Sequence, residues 1–297
     1  MLSGPRGTLT LCCLWLLLYA GGCIPTKQAR VAAVAYTAED VLRAAAKQPD
    51  PAIVRDGSPA YIMLVDGLIE AYPNNGELLT AGCQAYTVYA SSFVEDSDPG
   101  KAARLYAKAK KYGFRALSLR RDFQQAAWGN LNEFVVFLRG FNKEDVPALF
   151  WTSSAWAKLI SLNLDSVEAL ADVPMLEATM QRVIELDQGF YYGSPHLHMA
   201  VYLAAKPSIA GGNLDKAKEH FDEAFALGAV KLLAAKVLFA RYYAVRLKDR
   251  ALFKNTLQEV LEATLDEVPE LTLSNTLAKE KARELLERAD EYFMVLP

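Results

Sequence analysis

Six aromatic or imidazole side chains crowd into thirteen residues: Phe190, Tyr191, Tyr192, His196, His198 and Tyr202. Rings with polar tips at this density suit a crevice for a partly apolar organic molecule, the ring faces giving contact area and the nitrogens and hydroxyls giving orientation. The same rings also fill the space between packed helices, and for each residue taken singly that is the commoner role. If a helix starts at Pro195, His198 and Tyr202 share a face one turn apart, whereas His196 and His198 diverge by about 200°. Those two histidines are a poor metal pair, and His220 lies across a turn on the next helix. No third ligand is evident and no metal site is expected.

Trp151 and Trp156 stand five apart, about 140° around a helix, with Ser153 and Ser154 between them. Trp128, Asn130 and Asn132 lie in the preceding segment. Tryptophans with amides and hydroxyls near a hairpin turn either cradle a polar ligand or pack in a core or interface, and packing is again commoner. Trp128, Asn132, Trp151, Trp156, Phe190, Tyr192, His196, His198 and Tyr202 are the candidate ligand-binding residues. Gly211-Gly212-Asn213 lacks the Gly-Lys-Ser/Thr ending and preceding strand of a phosphate loop and reads as a turn with Asn213 capping the next helix. No Gly-x-Ser-x-Gly elbow, His-Glu-x-x-His pair or Cys-His motif is present, and no carboxylate pair separates acid from base. Neither an enzyme nor a cofactor is expected. Lys101, Lys108, Lys110, Lys111, Arg115, Arg120 and Arg121 form a basic band, read first as a solvated helical face and second as a docking surface for an acidic partner.

The elements that position these residues are helices. Of the 297 residues 52% are hydrophobic and 23% charged, with 17 Gly and 13 Pro, which excludes disorder and disulfide scaffolds. The net charge of -3 supplies no field for nucleic acid. Ser58-Pro59, Asp98-Pro99 and Ser194-Pro195 each put an acceptor before a residue that needs no amide hydrogen, and Asn74 with Glu77 resembles a capping box. Tyr72-Pro73, Lys206-Pro207 and Leu227-Gly228 read as stops. Apolar residues recur at three and four between these marks, and no segment alternates with period two. Ten to twelve helices and essentially no sheet are expected, in one domain over residues 38–297. The spacing Ala-x3-aromatic-x2-Ala occurs at Ala102, Tyr106, Ala109 and at Ala217, Phe221, Ala224, the pattern by which small residues bring the two helices of a tetratricopeptide hairpin together. Ala251 follows Ala217 at the right period, but Asn255 and Gln258 leave that unit degenerate. The fold class is therefore all-α, with tetratricopeptide-like hairpins packed in one irregular helical-repeat domain.

The amino terminus reads as an address. Arg6 precedes the apolar run from Leu9 to Ala20, too short for a spanning helix of about 20 residues and suited to a secretory signal. Ala20, Gly21, Gly22 and Cys23 resemble a bacterial lipobox, with Ala20 in place of the usual Leu. This predicts a signal peptide over 1–22, acylation of Cys23 and a tether over 23–37. Cys83 is then the remaining thiol, read as a buried apolar residue.

Three stretches carry a family likeness: Pro59 to Phe93 running into Asp98 to Leu117, Asp145 to Leu162 (DVPALFWTSSAWAKLISL), and Gly189 to Phe225 (GFYYGSPHLHMAVYLAAKPSIAGGNLDKAKEHFDEAF), with Asn275 to Phe293 closing the chain. Together they resemble the T component of tripartite ATP-independent periplasmic (TRAP) transporters, lipoproteins built on tetratricopeptide-like hairpins. The resemblance implies a lipid-anchored accessory on the periplasmic face of the inner or outer membrane. It further implies association with the TRAP substrate-binding subunit, a crevice for a small organic or lipid-like ligand, and a small homo-oligomer. The alternative is a lipid-anchored scaffold that grips protein segments in envelope assembly and has no small ligand. A cavity near Tyr192, His196 and Trp156 favours the first, an open groove the second.

Overall fold

Most of the long helices open where a short polar acceptor precedes a helix-forming run. In the computed structural model, which describes residues 40–119, 122–208, 211–265 and 267–293, Asp50 caps α1 (Pro51–Ala71), Asn75 caps α2 (Gly76–Phe93) and Asp98 caps α3 (Pro99–Ser118). Asp122 and Asn130 do the same for α4 (Phe123–Ala127) and α5 (Leu131–Leu138). Helix α6 (Val146–Ser161) continues from a 3-10 turn in which Asn142 and Asp145 cap each other reciprocally. Ser166 opens α7 (Val167–Ala171), followed by α8 (Val173–Asp187) and α9 (Phe190–Ala205). Asn213 caps α10 (Leu214–Ala226), as expected. Helix α11 (Leu233–Leu238) widens into a π-helical turn over Phe239–Ala244. Asp249 caps α12 (Arg250–Glu262), and α13 (Thr272–Glu287) and α14 (Ala289–Phe293) end the described chain.

The fold is all-α, with no strand among the described residues. Fourteen α-helices appear there rather than ten to twelve, because α4, α7 and α14 are single turns, too short to show a helical period. Ser58-Pro59 is not a start: it lies inside α1, which begins at Asp50-Pro51. Pro59 leaves the Arg55 carbonyl without its usual amide donor. The α2 cap is Asn75 and not Asn74. Arg120, Arg121 and everything proposed for residues 1–37, Cys23 included, lie outside the described residues.

Consecutive helices stack. Helix α2 packs on α1 and α3, α3 on α6, α6 on α8, α9 on α10, and α12 on α13, an arrangement consistent with a repeat-like domain. Both Ala-x3-aromatic-x2-Ala sets are fully buried, in α3 and α10. In α12 the buried apolar residues are instead Phe253, Leu257 and Val260, with the same spacing but displaced two residues from Ala251, which is exposed. Large side chains there stand where the repeat pattern has alanines, which hides the repeat.

Helix α3 is central. At Gly113 a Cβ would overlap Thr152 Oγ1 and lie 2.9 Å from Thr152 Cβ, so only glycine lets α3 and α6 touch. Three carboxylates tie α3 to its neighbours. Asp66 of α1 accepts from Lys108 Nζ (2.6 Å), Tyr86 Oη (2.7 Å) and Tyr112 Oη (2.8 Å). Glu95 accepts from Tyr106 and from Lys158 at 3.0 Å. Asp172, just ahead of α8, accepts from Lys110 Nζ (2.8 Å) and Trp156 Nε1 (2.7 Å).

Candidate functional site

The last of these carboxylates forms the floor of a groove. Trp156 is 1% exposed, and its indole lies edge-on to Phe114 with 5.1 Å between ring centroids. The Lys110 ammonium sits 4.5 Å above the Trp156 ring and is fixed there by Asp172, so cation, π-face and carboxylate form one unit. Around it opens a groove of about 440 Å³ lined by Trp128, Leu159, Asn163 and Ala169 among others. Trp128, the residue that ends α4, is 73% exposed at its edge. An indole face open to solvent above a wall that mixes Leu159, Ile160 and Ala169 with Asn163, Ser166 and Glu168 suits a small, partly apolar molecule with polar groups.

The other candidate residues fall elsewhere. Trp151 joins Phe150, Phe190 and Tyr191 in a ring cluster between α6 and α9, with centroids 5.1–6.2 Å apart. His198 meets Phe150 edge-on and places Nε2 3.2 Å from Ser154 Oγ. That hydroxyl donates its one hydrogen to the Phe150 carbonyl at 2.8 Å, so it accepts from His198, whose neutral ring carries the proton on Nε2. Burial, helped by the Lys158 charge, pushes the His198 pKa down to about 4.

Tyr191, Tyr192 and Gly193 all have left-handed backbone conformations, with φ of 43°, 61° and 75°. This kink sends Tyr191 to Trp151 and Tyr192 into the α9–α10 core. Gly193 is required there, since a Cβ would come 2.9 Å from Leu227 Cβ and 3.0 Å from the Ala224 carbonyl. Tyr192, His196 and Trp156 therefore do not share one cavity. His196 faces His220 instead, with Nδ1 to Nδ1 at 2.9 Å, one ring donating and the other accepting. Burial lowers the pKa of both, so the pair is neutral at pH 7. Tyr202 packs under Lys206, whose ammonium is 4.0 Å from the ring centroid and 3.2 Å from Glu177. Asn132 is exposed in the first turn of α5, where its amide serves the Asn130 cap.

Of the sequence candidates the structure thus brings Trp128 and Trp156 together, and it adds Lys110, Asn163 and Asp172. The basic band is not one solvated face, since Lys108 and Lys110 are paired to different helices. Cys83 is buried and its thiol is pushed up to about 12 by that burial, so it stays protonated. Among the described residues no three His, Cys, Asp or Glu side chains converge as a metal site would require, and no helix is long and apolar enough to cross a membrane.

An uncharacterized protein of Treponema pallidum (strain Nichols) is 21% identical to the chain over 273 residues, which takes in 86% of this chain and 84% of that protein. The family described as the TRAP transporter T-component matches residues 47–293, from just before α1 to the end of α14. That family supplies accessory components of a transporter, is associated in general with the periplasm, and is not known for enzymes. With the match running from α1 to α14, over most of the chain, the chain belongs to the TRAP transporter T-component family.

Proposed function

We propose that the protein is a lipid-anchored T component that associates with the TRAP substrate-binding subunit and takes up a small, partly apolar organic ligand in the groove beside Trp128. In this reading residues 1–22 are removed as a signal peptide and the acylated Cys23 and residues 23–37 tether a helical domain over 38–297 to the periplasmic face of a membrane. The observation that carries the ligand assignment is the 73% exposed Trp128 at the edge of a groove whose floor is the Trp156–Asp172–Lys110 unit. An indole left in water is an unused apolar face, and here it borders a volume within the range of small-molecule sites.

A second reading rests on the groove being open along one side: a lipid-anchored scaffold that grips a protein segment. Purification of the acylated chain from native membranes in mild detergent, with mass spectrometry of co-purifying proteins and small molecules, separates the two. Recovery of a TRAP substrate-binding subunit, and of an organic ligand with the wild type but not with Trp128→Ala, is the expected result. Recovery of envelope-assembly proteins alone, with no ligand, refutes the accessory reading in favour of the scaffold.

A further inference from the structure

On the flank of α3 away from Lys110, a second cavity of about 600 Å³ opens between α1 and α3. Lys108, Lys111 and Arg115 follow one another there at helical spacing, so all three line the same cleft. Lys108 is neutralised by Asp66, which lies beneath it. Burial opposes ionisation of Asp66, but hydrogen bonds from Lys108, Tyr86 and Tyr112 outweigh it and keep the carboxyl below its ordinary range. Arg115 is held in place from two sides, donating to the Pro73 carbonyl at 2.9 Å and lying 5.8 Å from the centre of the Tyr112 ring. The Lys111 ammonium has no hydrogen bond or ion pair among the described residues.

Set against Asp66 and Glu70, the three cations leave one positive charge uncompensated, carried by a free ammonium and a pre-oriented guanidinium one turn apart. The remaining wall is carbon: Ile69, Pro73 and the Tyr112 ring. We propose that this cleft is a binding site for a small organic carboxylate, its anionic end between Lys111 and Arg115 and its hydrocarbon against Ile69 and Tyr112. The site is separate from the groove beside Trp128 and differs from it in charge, and no tryptophan lines it.

The test is calorimetric titration of the full-length chain in detergent with three probes: hexanoate, the uncharged hexanamide, and inorganic phosphate, which has charge but no hydrocarbon. Hexanoate is expected to saturate one site and to bind at least tenfold more tightly than either control. Lys111→Ala is expected to weaken it tenfold or more, Lys111→Glu to abolish it, and Lys101→Ala, on the same helix but outside the cleft, to leave it unchanged. Thermal unfolding of each variant checks that the fold persists, which an exposed lysine does not govern. Equal binding of hexanoate and hexanamide, equal binding of phosphate, or indifference to Lys111→Glu overturns the assignment, as does saturation by an acidic protein and by none of the three probes. Loss of hexanoate binding in Trp128→Ala with retention in Lys111→Ala moves the carboxylate to the groove, which refutes this inference while leaving the proposed function standing.

Discussion

Removal of the Asp172 side chain tests whether the floor of the groove is the unit described. In Asp172→Ala the Trp156 indole N–H, in a residue 1% exposed, loses its acceptor at 2.7 Å. A buried unsatisfied donor costs about 1–3 kcal/mol. Lys110, whose side chain is 20% exposed, also loses its partner at 2.8 Å, and an ion pair this accessible is worth about 0.5–1 kcal/mol. Asp172 makes no side-chain capping bond to α8, so no cap is lost. The sum is about 2–4 kcal/mol, and for a domain of this size that lowers the unfolding midpoint by roughly 5–12 °C. Asp172→Asn keeps an acceptor for the indole and loses only the charge, so it should cost about 1 kcal/mol. The assay is urea unfolding read by tryptophan fluorescence, run as a double-mutant cycle with Trp156→Phe, which keeps an aromatic ring and removes the donor. A coupling of about 1–2 kcal/mol is expected. A cycle that adds within about 0.5 kcal/mol, or an alanine variant as stable as wild type, refutes the reasoning.

Acidification should weaken the fold through His198. Its folded pKa of about 4 lies below the value near 6.5 of an unfolded chain, so the stabilisation is complete above pH 6.5 and is lost as pH falls towards 4. The loss from this group is about 3 kcal/mol by pH 4, and urea midpoints measured from pH 7 to 4 should show a slope that His198→Gln flattens. His196 and His220, also lowered by burial, act in the same direction. Gly193→Ala combines a left-handed backbone with contacts near 3 Å and should destabilise by about 2–4 kcal/mol in thermal unfolding. Trp128→Ala removes an exposed side chain, so its midpoint should stay within about 0.5 kcal/mol of wild type while the ligand that co-purifies with wild type is lost.

How far these features could be read from the sequence depends on how local their causes are. The Asp98, Asn213 and Gly228 boundaries follow from chemistry within three or four residues, and the structure has each of them where the sequence points. Asn74 has Glu77 at the capping-box spacing, yet the cap is its neighbour Asn75, whose side chain accepts from the Leu78 amide. The left-handed pair Tyr191 and Tyr192 has no local cause except Gly193. The kink lies where Gly193 meets the end of α10, and it turns Tyr192 into the α9–α10 core, away from the cavity expected with His196 and Trp156. The third repeat unit reads as degenerate when counted from Ala251 for a related reason, since the burial periodicity in α12 is carried two residues on by Phe253, Leu257 and Val260.

The basic band shows why the rest of the site, beyond Trp128 and Trp156, could not be read. Lys108 and Lys110 are two residues apart, about 200° around a helix, so they cannot share a face. On a helix at the edge of a bundle one of them would be in water. Helix α3 instead packs on α2 and α6, and on its two flanks a carboxylate from α1 and one from the turn ahead of α8 come within reach, so each lysine meets a partner, Asp66 for one and Asp172 for the other. Those partners are 42 and 62 residues away along a chain that holds 35 acidic residues, and no spacing rule selects them. A charge run on this helix is thus divided between two neighbours, and each half forms part of a different cavity wall. The proposed carboxylate cleft and the tryptophan groove are the two sides of that one helix, which is why a substitution on either flank should affect one and spare the other.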